Sequence, residues 1–249
     1  MPTYLDGYIY HMVHVKNLRS IFQQRVLLSK NMLRKRRIGY ISIANEQIQN
    51  LRDRIRIQVF PDRQSFNLHS YVPFYFTSHT PMLSAIRNKV PLEQIAFLEV
   101  PRSILTKQGV IFTDGNATCQ QLSMSGTEIV LITPASLHSP RCKRYYIPHG
   151  PYGTGESTSD FYSDITFLEK LNWRAIEGGY TGIGLDERRR IRCAEVLIPD
   201  AVPVSFIKHV IIYNAQVAQE VKADLARLNF KTITPSIIIG SAFYTKESS

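Results

Sequence analysis

The chain has 249 residues, 44% of them hydrophobic, enough for one globular domain with a sizeable core. Lysines and arginines outnumber aspartates and glutamates by 30 to 20, and the resulting +10 charge suits polyanionic partners such as nucleic acid or an acidic membrane surface. No apolar run approaches the roughly 20 residues that span a bilayer, and the first residues lack a signal-peptide core, so a cytoplasmic protein with no membrane partner is expected.

The first predicted element is a strand, Y-I-Y-H-M-V from Tyr8 to Val13, running into a helix near Val15 where Leu18, Ile21 and Phe22 recur at helical spacing. His14 and Asn17 fall at that junction. Helical N–H groups and short polar side chains converge there and suit a ribose or a carboxamide; in the alternative, Asn17 only caps the helix and His14 is half buried. Arg34 to Arg37 follow as four consecutive cations that cannot share one helix face, and they read as a solvated surface or a phosphate contact. Next, I-S-I-A-N-E-Q-I-Q-N-L-R, Ile41 to Arg52, ends at the first of three closely spaced arginines, Arg52, Arg54 and Arg56.

From His69 to Leu83 the chain reads H-S-Y-V-P-F-Y-F-T-S-H-T-P-M-L. Tyr71, Phe74, Tyr75 and Phe76 surround Pro73, and the run closes at Pro81. It is a strand entered and left through fixed turns, able either to wall a flat ligand or to serve as ordinary core. Ile95 to Val100 and Val110 to Asp114 are further strands, the second ending in F-T-D-G-N-A, a common turn chemistry. Thr118 to Ser159 is rich in Ser, Thr, Pro and Gly. Its Arg141, Lys143 and Arg144 beside Tyr145 and Tyr146 suit either stacked single-stranded nucleic acid or a plain insertion.

Phe161 to Trp173 carries Ile165, Leu168 and Leu171 at helical spacing. Gly178, Gly179, Gly182 and Gly184 lack the strand context of a dinucleotide fingerprint and read as a loop that carries D-E-R-R-R-I-R, Asp186 to Arg192. That loop delivers the chain into R-C-A-E-V-L-I. A carboxylate within this apolar run must be paired or functional if buried, or else face water on the outer side of a sheet; Glu195 is left between those readings. Phe206 to Tyr213 is a strand, Val217, Val221, Leu225 and Leu228 line a helix, and Ile233 to Ile239 is a final strand. Cys119, Cys142 and Cys193 are widely spaced with no C-x-x-C pair and read as free thiols, without a disulfide framework or a zinc site.

These motifs resemble the DarT family of bacterial toxins. The resemblance is carried by Y-V-P-F-Y-F with P-M-L, by H-x-x-N-L from His14, by the stretch ending at Arg52, by F-T-D at Phe112, and by A-E-x-L-I after an arginine-bearing loop. It covers roughly Tyr8 to Gly115 and Phe161 to the end. It implies an α+β chain, residues 1–249 as one ADP-ribosyltransferase domain, in which two facing, mostly antiparallel sheets with flanking helices form an NAD cleft and residues 118–159 are a divergent insertion.

By the same resemblance Glu195 is the catalytic carboxylate and Arg52 the essential arginine, with Arg54 as second choice. His14, Asn17, Tyr71 and Arg52 would position NAD, the ADP-ribose donor; no metal is implied. The basic run and the loop, with His79, Arg188, Arg189, Arg190 and Arg192, would hold DNA. The implied reaction is ADP-ribosylation of a base in single-stranded DNA, thymine ahead of guanine. The implied partner is an antitoxin with ADP-ribosyl-hydrolase (macrodomain) activity, because relatives are toxins of toxin–antitoxin systems. Many relatives carry an arginine before P-M-L where this chain has His79, so a DNA sequence preference does not carry over. Two rival readings remain: the same donor with an RNA or protein acceptor, and a non-enzymatic nucleic-acid-binding module.

Overall fold

The computed structural model describes residues 3–59, 65–118, 128–132, 159–179, 182–228 and 235–244. Its first half contains β1 (Tyr8–His14), α1 (Leu18–Gln24), β2 (Val26–Leu28), α2 (Lys30–Arg36), α3 (Glu46–Arg54), β3 (Ile55–Val59), β4 (Ser65–Asn67), β5 (Tyr71–Tyr75), α4 (Pro81–Ile86), β6 (Ile95–Pro101) and β7 (Ile111–Thr113). Then come β8 (Glu128–Ile132), β9 (Phe161–Tyr162), α5 (Trp173–Ile176), α6 (Leu185–Ile191), β10 (Glu195–Pro199), β11 (Ala201–Pro203), β12 (His209–Ile212), α7 (Ala215–Ala226) and β13 (Ser236–Ile239).

Eight strands form one sheet in the order β13-β12-β6-β1-β5-β10-β7-β9, antiparallel throughout except for the β12–β13 pair. A smaller sheet, β4-β3-β8, and a β11-β2 ribbon complete the strands. The two facing sheets are therefore unequal in size. Alternation along each strand sorts its side chains between the faces of the large sheet. On one face Val72 and Phe74 of β5, Val196 and Ile198 of β10, and Ala96, Leu98 and Val100 of β6 pack with Leu18 and Phe22 of α1 and Val221 and Leu225 of α7. Burying each of these side chains larger than alanine contributes about 1.5–3 kcal/mol.

The other face is covered in two separate places. At one end Tyr71, Ile111 and Leu197 meet Ile55 and Ile57 of β3. At the other, Ile95, Phe97 and Ile211 meet Leu83 and Ile86 of α4 together with Tyr244. Between these packed ends Pro73 and Tyr75 remain partly exposed and line a cleft. Pro73 helps to open it, because a residue without an N–H interrupts the ladder of a central strand. β1 meets β5 only where Tyr10 lies opposite Tyr75; beyond that point the His11 Nδ1–H donates to the Pro73 carbonyl at 2.7 Å.

Some expected elements differ. The helix expected over Phe161 to Trp173 is instead β9, a 3-10 turn over Ile165–Lys170 and the short α5. Asp164 accepts from the Thr166 N–H and Asn172 from the Ala175 N–H, so two caps divide the segment. Asp186 to Arg192, expected in a loop, lies mostly within α6. Acidic residues in its first turn and basic ones in its last complement the helix dipole, and Asp186–Arg189 and Glu187–Arg190 pair one turn apart. Within the expected 118–159 insertion, Glu128–Ile132 is β8, parallel to β3. Arg141, Lys143, Arg144, Tyr145 and Tyr146 lie outside the described residues, as do Cys119 and Cys142. Cys193 is buried and forms no disulfide among the described residues. Among the described residues no helix is long and apolar enough to cross a membrane.

Candidate active site

Glu195 opens β10 opposite Tyr75 and is 1% exposed. The alternation that sends Val196 and Ile198 into the main core puts Glu195, like Leu197, on the cleft face of the sheet. Of the two readings left open for this carboxylate, the structure has the buried one. Burial of an anion is costly without partners, and here both oxygens have them. The Arg52 Nη1 donates to Oε2 at 2.8 Å and the Ala117 N–H to Oε1 at 3.0 Å.

The F-T-D-G-N-A turn is what seats the glutamate. The Thr113 hydroxyl accepts from the Glu195 N–H at 2.9 Å and donates to the Gly115 carbonyl at 2.5 Å, which brings the Ala117 N–H to the carboxylate. Sequence reasoning saw a turn here and gave it no role. The usable signal was a hydroxyl residue closing a strand immediately before D-G-N.

Arg52 lies on α3, whose start is capped by Asn45 accepting from the Gln47 N–H at 2.9 Å. Ile48 and Arg52, four residues apart, share the buried face, whereas Arg54 is exposed. Helical spacing thus selects Arg52 as the arginine that reaches Glu195. Its Nη2 is buried with no hydrogen-bond partner among the described residues. Buried polar donors are rarely left in this state, so the atom is a ready donor for an anionic or carbonyl oxygen entering the cleft.

His14, Asn17 and Tyr71 all line the cleft. The Lys16 N–H donates to His14 Nδ1 at 3.2 Å, so the proton sits on Nε2, which donates to Gln94 Oε1 at 3.2 Å. Asn17 makes a two-way bond with Ile41: its Nδ2 donates to the carbonyl at 2.8 Å and its Oδ1 accepts from the N–H at 2.9 Å. These polar groups hold the cleft wall in place, and Asn17 fastens the segment between α2 and α3 across its mouth. Tyr71 is buried, and burial together with Asp200 pushes its phenol up to about 12.

The arginines of α6 divide. Arg190 is buried and bonded to Asp114 at 3.1 Å, to the Ser159 hydroxyl at 2.9 Å and through two nitrogens to Glu187. It anchors the Asp114 turn behind Glu195 rather than facing solvent, a correction to its expected place among surface DNA contacts. Arg189 is exposed and Arg188 partly so. Arg192 donates to the His79 carbonyl, while His79 Nε2 donates to the Ala242 carbonyl at 2.8 Å. Lys30 and His69 also line the cleft and were not singled out in the sequence. Among the described residues no group of three or more His, Cys, Asp or Glu side chains could hold a metal ion.

A family model described as ssDNA thymidine ADP-ribosyltransferase, DarT, matches residues 10–129 and 129–244. A DNA ADP-ribosyl transferase of Thermus sp. (strain 2.9) is 28% identical over 220 residues, covering 86% of this chain and 84% of its own. The solved Thermus sp. 2.9 DarT in complex with ADP-ribosylated ssDNA has a TM-score of 0.69 at 25% identity, covering 96% of this chain and 97% of that one. Its complex with NAD+ gives 0.66 at 24%, covering 96% and 98%. Thermosipho africanus DarTG in complex with ADP-ribose shares the fold, with a TM-score of 0.67 at 18% identity; the match covers 96% of this chain and 51% of that longer one.

Proposed function

The chain belongs to the DarT family, and on that premise we propose that it transfers ADP-ribose from NAD to thymine in single-stranded DNA, as the toxin of a toxin–antitoxin pair. Its class is NAD-dependent DNA ADP-ribosyltransferase. The observation that carries the residue assignment is the buried Arg52–Glu195 pair, 2.8 Å apart at the cleft, with Arg52 Nη2 left without a partner. Transfer breaks the bond from ribose C1′ to nicotinamide, which departs neutral with the electron pair, and positive charge develops at C1′. A carboxylate fixed in advance stabilises that charge without having to reorganise. Arg52 and the Ala117 N–H fix Glu195 in this way.

The new bond runs from a thymine ring nitrogen to C1′, and the proton on that nitrogen is released. The positive charge of the Arg52 guanidinium favours the deprotonated base. That nitrogen is engaged in a duplex, so the acceptor must be unpaired. Tyr71, Pro73 and Tyr75 wall the donor side, with His14 and Asn17 holding the wall, while His79, Arg188, Arg189 and Arg192 meet the strand. Residues 1–249 act as one domain in the cytoplasm. Its partner in the pair is a cognate antitoxin that removes the ADP-ribosyl group, the partner that the family resemblance implies.

Mass spectrometry after mixing protein, NAD and oligonucleotides tests the reading. An added ADP-ribosyl mass on thymine of single strands, and far less on duplex, is expected. Adducts only on RNA, protein or guanine would overturn the assignment of the acceptor.

A further inference from the structure

The wall of the cleft beside Arg52 holds a second cation. Lys30 begins α2 and reaches toward α3, where its Nζ donates to Gln49 Oε1 at 3.0 Å. It also lies 3.3 Å from His69 Nε2. That nitrogen is 3.0 Å from the Gln49 carbonyl, which can only accept, so the ring proton sits on Nε2 and points there. The histidine therefore offers Lys30 no lone pair. An ammonium has three donors, and Gln49 Oε1 occupies one.

Carboxylates near this group are already engaged. Glu195 is held by Arg52 and Ala117, and Asp53 is shared by Arg34 at 3.5 Å and His69 at 3.3 Å. Burial comes first among the causes that push the Lys30 ammonium below its ordinary pKa; the Arg34 and Arg52 cations add to it and the Asp53 carboxylate opposes it without cancelling it. Two cations thus line one cleft, Lys30 bonded to a neutral amide and Arg52 with a buried nitrogen that has no partner among the described residues. Such a pair calls for a compact anion with several acceptor oxygens, and a diphosphate meets that need.

We propose that Lys30 and Arg52 Nη2 together form the subsite for the diphosphate of the dinucleotide donor, with Lys30 as its principal charge contact. This rests on the reading of the cleft as an NAD site. Neither the motif residues nor the notable basic run at Arg34 to Arg37 contains Lys30. Its place follows from Ser29, whose hydroxyl accepts from the Met32 N–H and so starts α2 with Lys30 over α3.

The test is direct binding of NAD, ADP and nicotinamide to the wild-type chain, Lys30→Met and Lys30→Arg. Methionine retains the apolar stem and removes the charge. Lys30→Met should weaken both NAD and ADP by roughly tenfold to a hundredfold, the size of one lost charge-assisted contact, with nicotinamide unchanged. Lys30→Arg should recover much of the loss. Wild-type affinity for ADP in Lys30→Met, or an equal loss for nicotinamide, would overturn the proposal. Should the wild-type chain bind no NAD at all, it is the reading of the cleft that fails.

Discussion

Arg52 is 5% exposed and bonded to Glu195, whereas Arg54, two residues on along the same helix, faces outward. Arg52→Ala should therefore abolish transfer and Arg54→Ala should leave most of it; the reverse result in a DNA-modification assay would shift the site by two residues. Removing Arg52 also leaves Glu195 buried without its ion-pair partner, a change that typically costs 3–5 kcal/mol, so the assay belongs on the folded fraction. His69 yields a pH prediction. Burial first, then the charges of Lys30 and Arg52, push its imidazole down to about 4. An unfolded chain takes up that proton near 6.5, so the stability contributed is fully present above that pH and is lost as pH falls toward 4, on the order of 3 kcal/mol in all. Thermal unfolding between pH 7 and 4 should show the decline, and His69→Gln should show a shallower one; parallel curves would contradict it. At this scale Arg52 and Glu195 were legible because each lies in a motif that resembles the family's, Arg52 at the end of one and Glu195 second in A-E-V-L-I. Their supports were not: Thr113 and Ala117 lie 82 and 78 residues from Glu195, and no local pattern encodes contacts at that range.

Elements were legible where one periodicity dominated. β6 reads as a strand from its apolar run Ile95 to Leu98, because Ala96 and Leu98 enter one core and Ile95 and Phe97 another. α7 reads as a helix because Val221 and Leu225 repeat on one face behind the Asn214 cap, which accepts from the Val217 N–H at 3.0 Å. α6 was obscured by the glycines ahead of it and by a composition almost wholly charged; it is supported by charges paired one turn apart and by Ile191 and Arg190 packed inward, which an apolar pattern does not register. Asn17 shows a further limit, since its position was read as a cap or a ligand contact and the structure gives it the backbone of Ile41, 24 residues away. Asn17→Ala should loosen that segment, raising amide exchange at Ile41 and the KM for NAD severalfold while kcat changes little. Unchanged exchange at Ile41 would remove the tether.

Among the described residues, the eight-stranded sheet buries one face under helices and has the other covered by core packing at its two ends. Pro73 ends the β1–β5 ladder at the gap, Glu195 rises from the adjacent strand, and α3 brings Arg52 across to it. The chain thus sets a buried charged pair beside the cleft, with Arg52 in its lining, where electrostatic stabilisation exceeds that in water. The +10 charge of the chain is consistent with a polyanionic acceptor but does not choose one. The central claim is that the Glu195 carboxylate stabilises charge at the reacting ribose, and Glu195→Gln tests it because the amide retains the shape and loses the charge. NAD binding and single-stranded DNA modification should be measured on one folded sample of that variant. The account predicts that NAD still binds while modification falls by about a hundredfold or more, the range for removal of one preorganised transition-state contact; near-normal modification would contradict it.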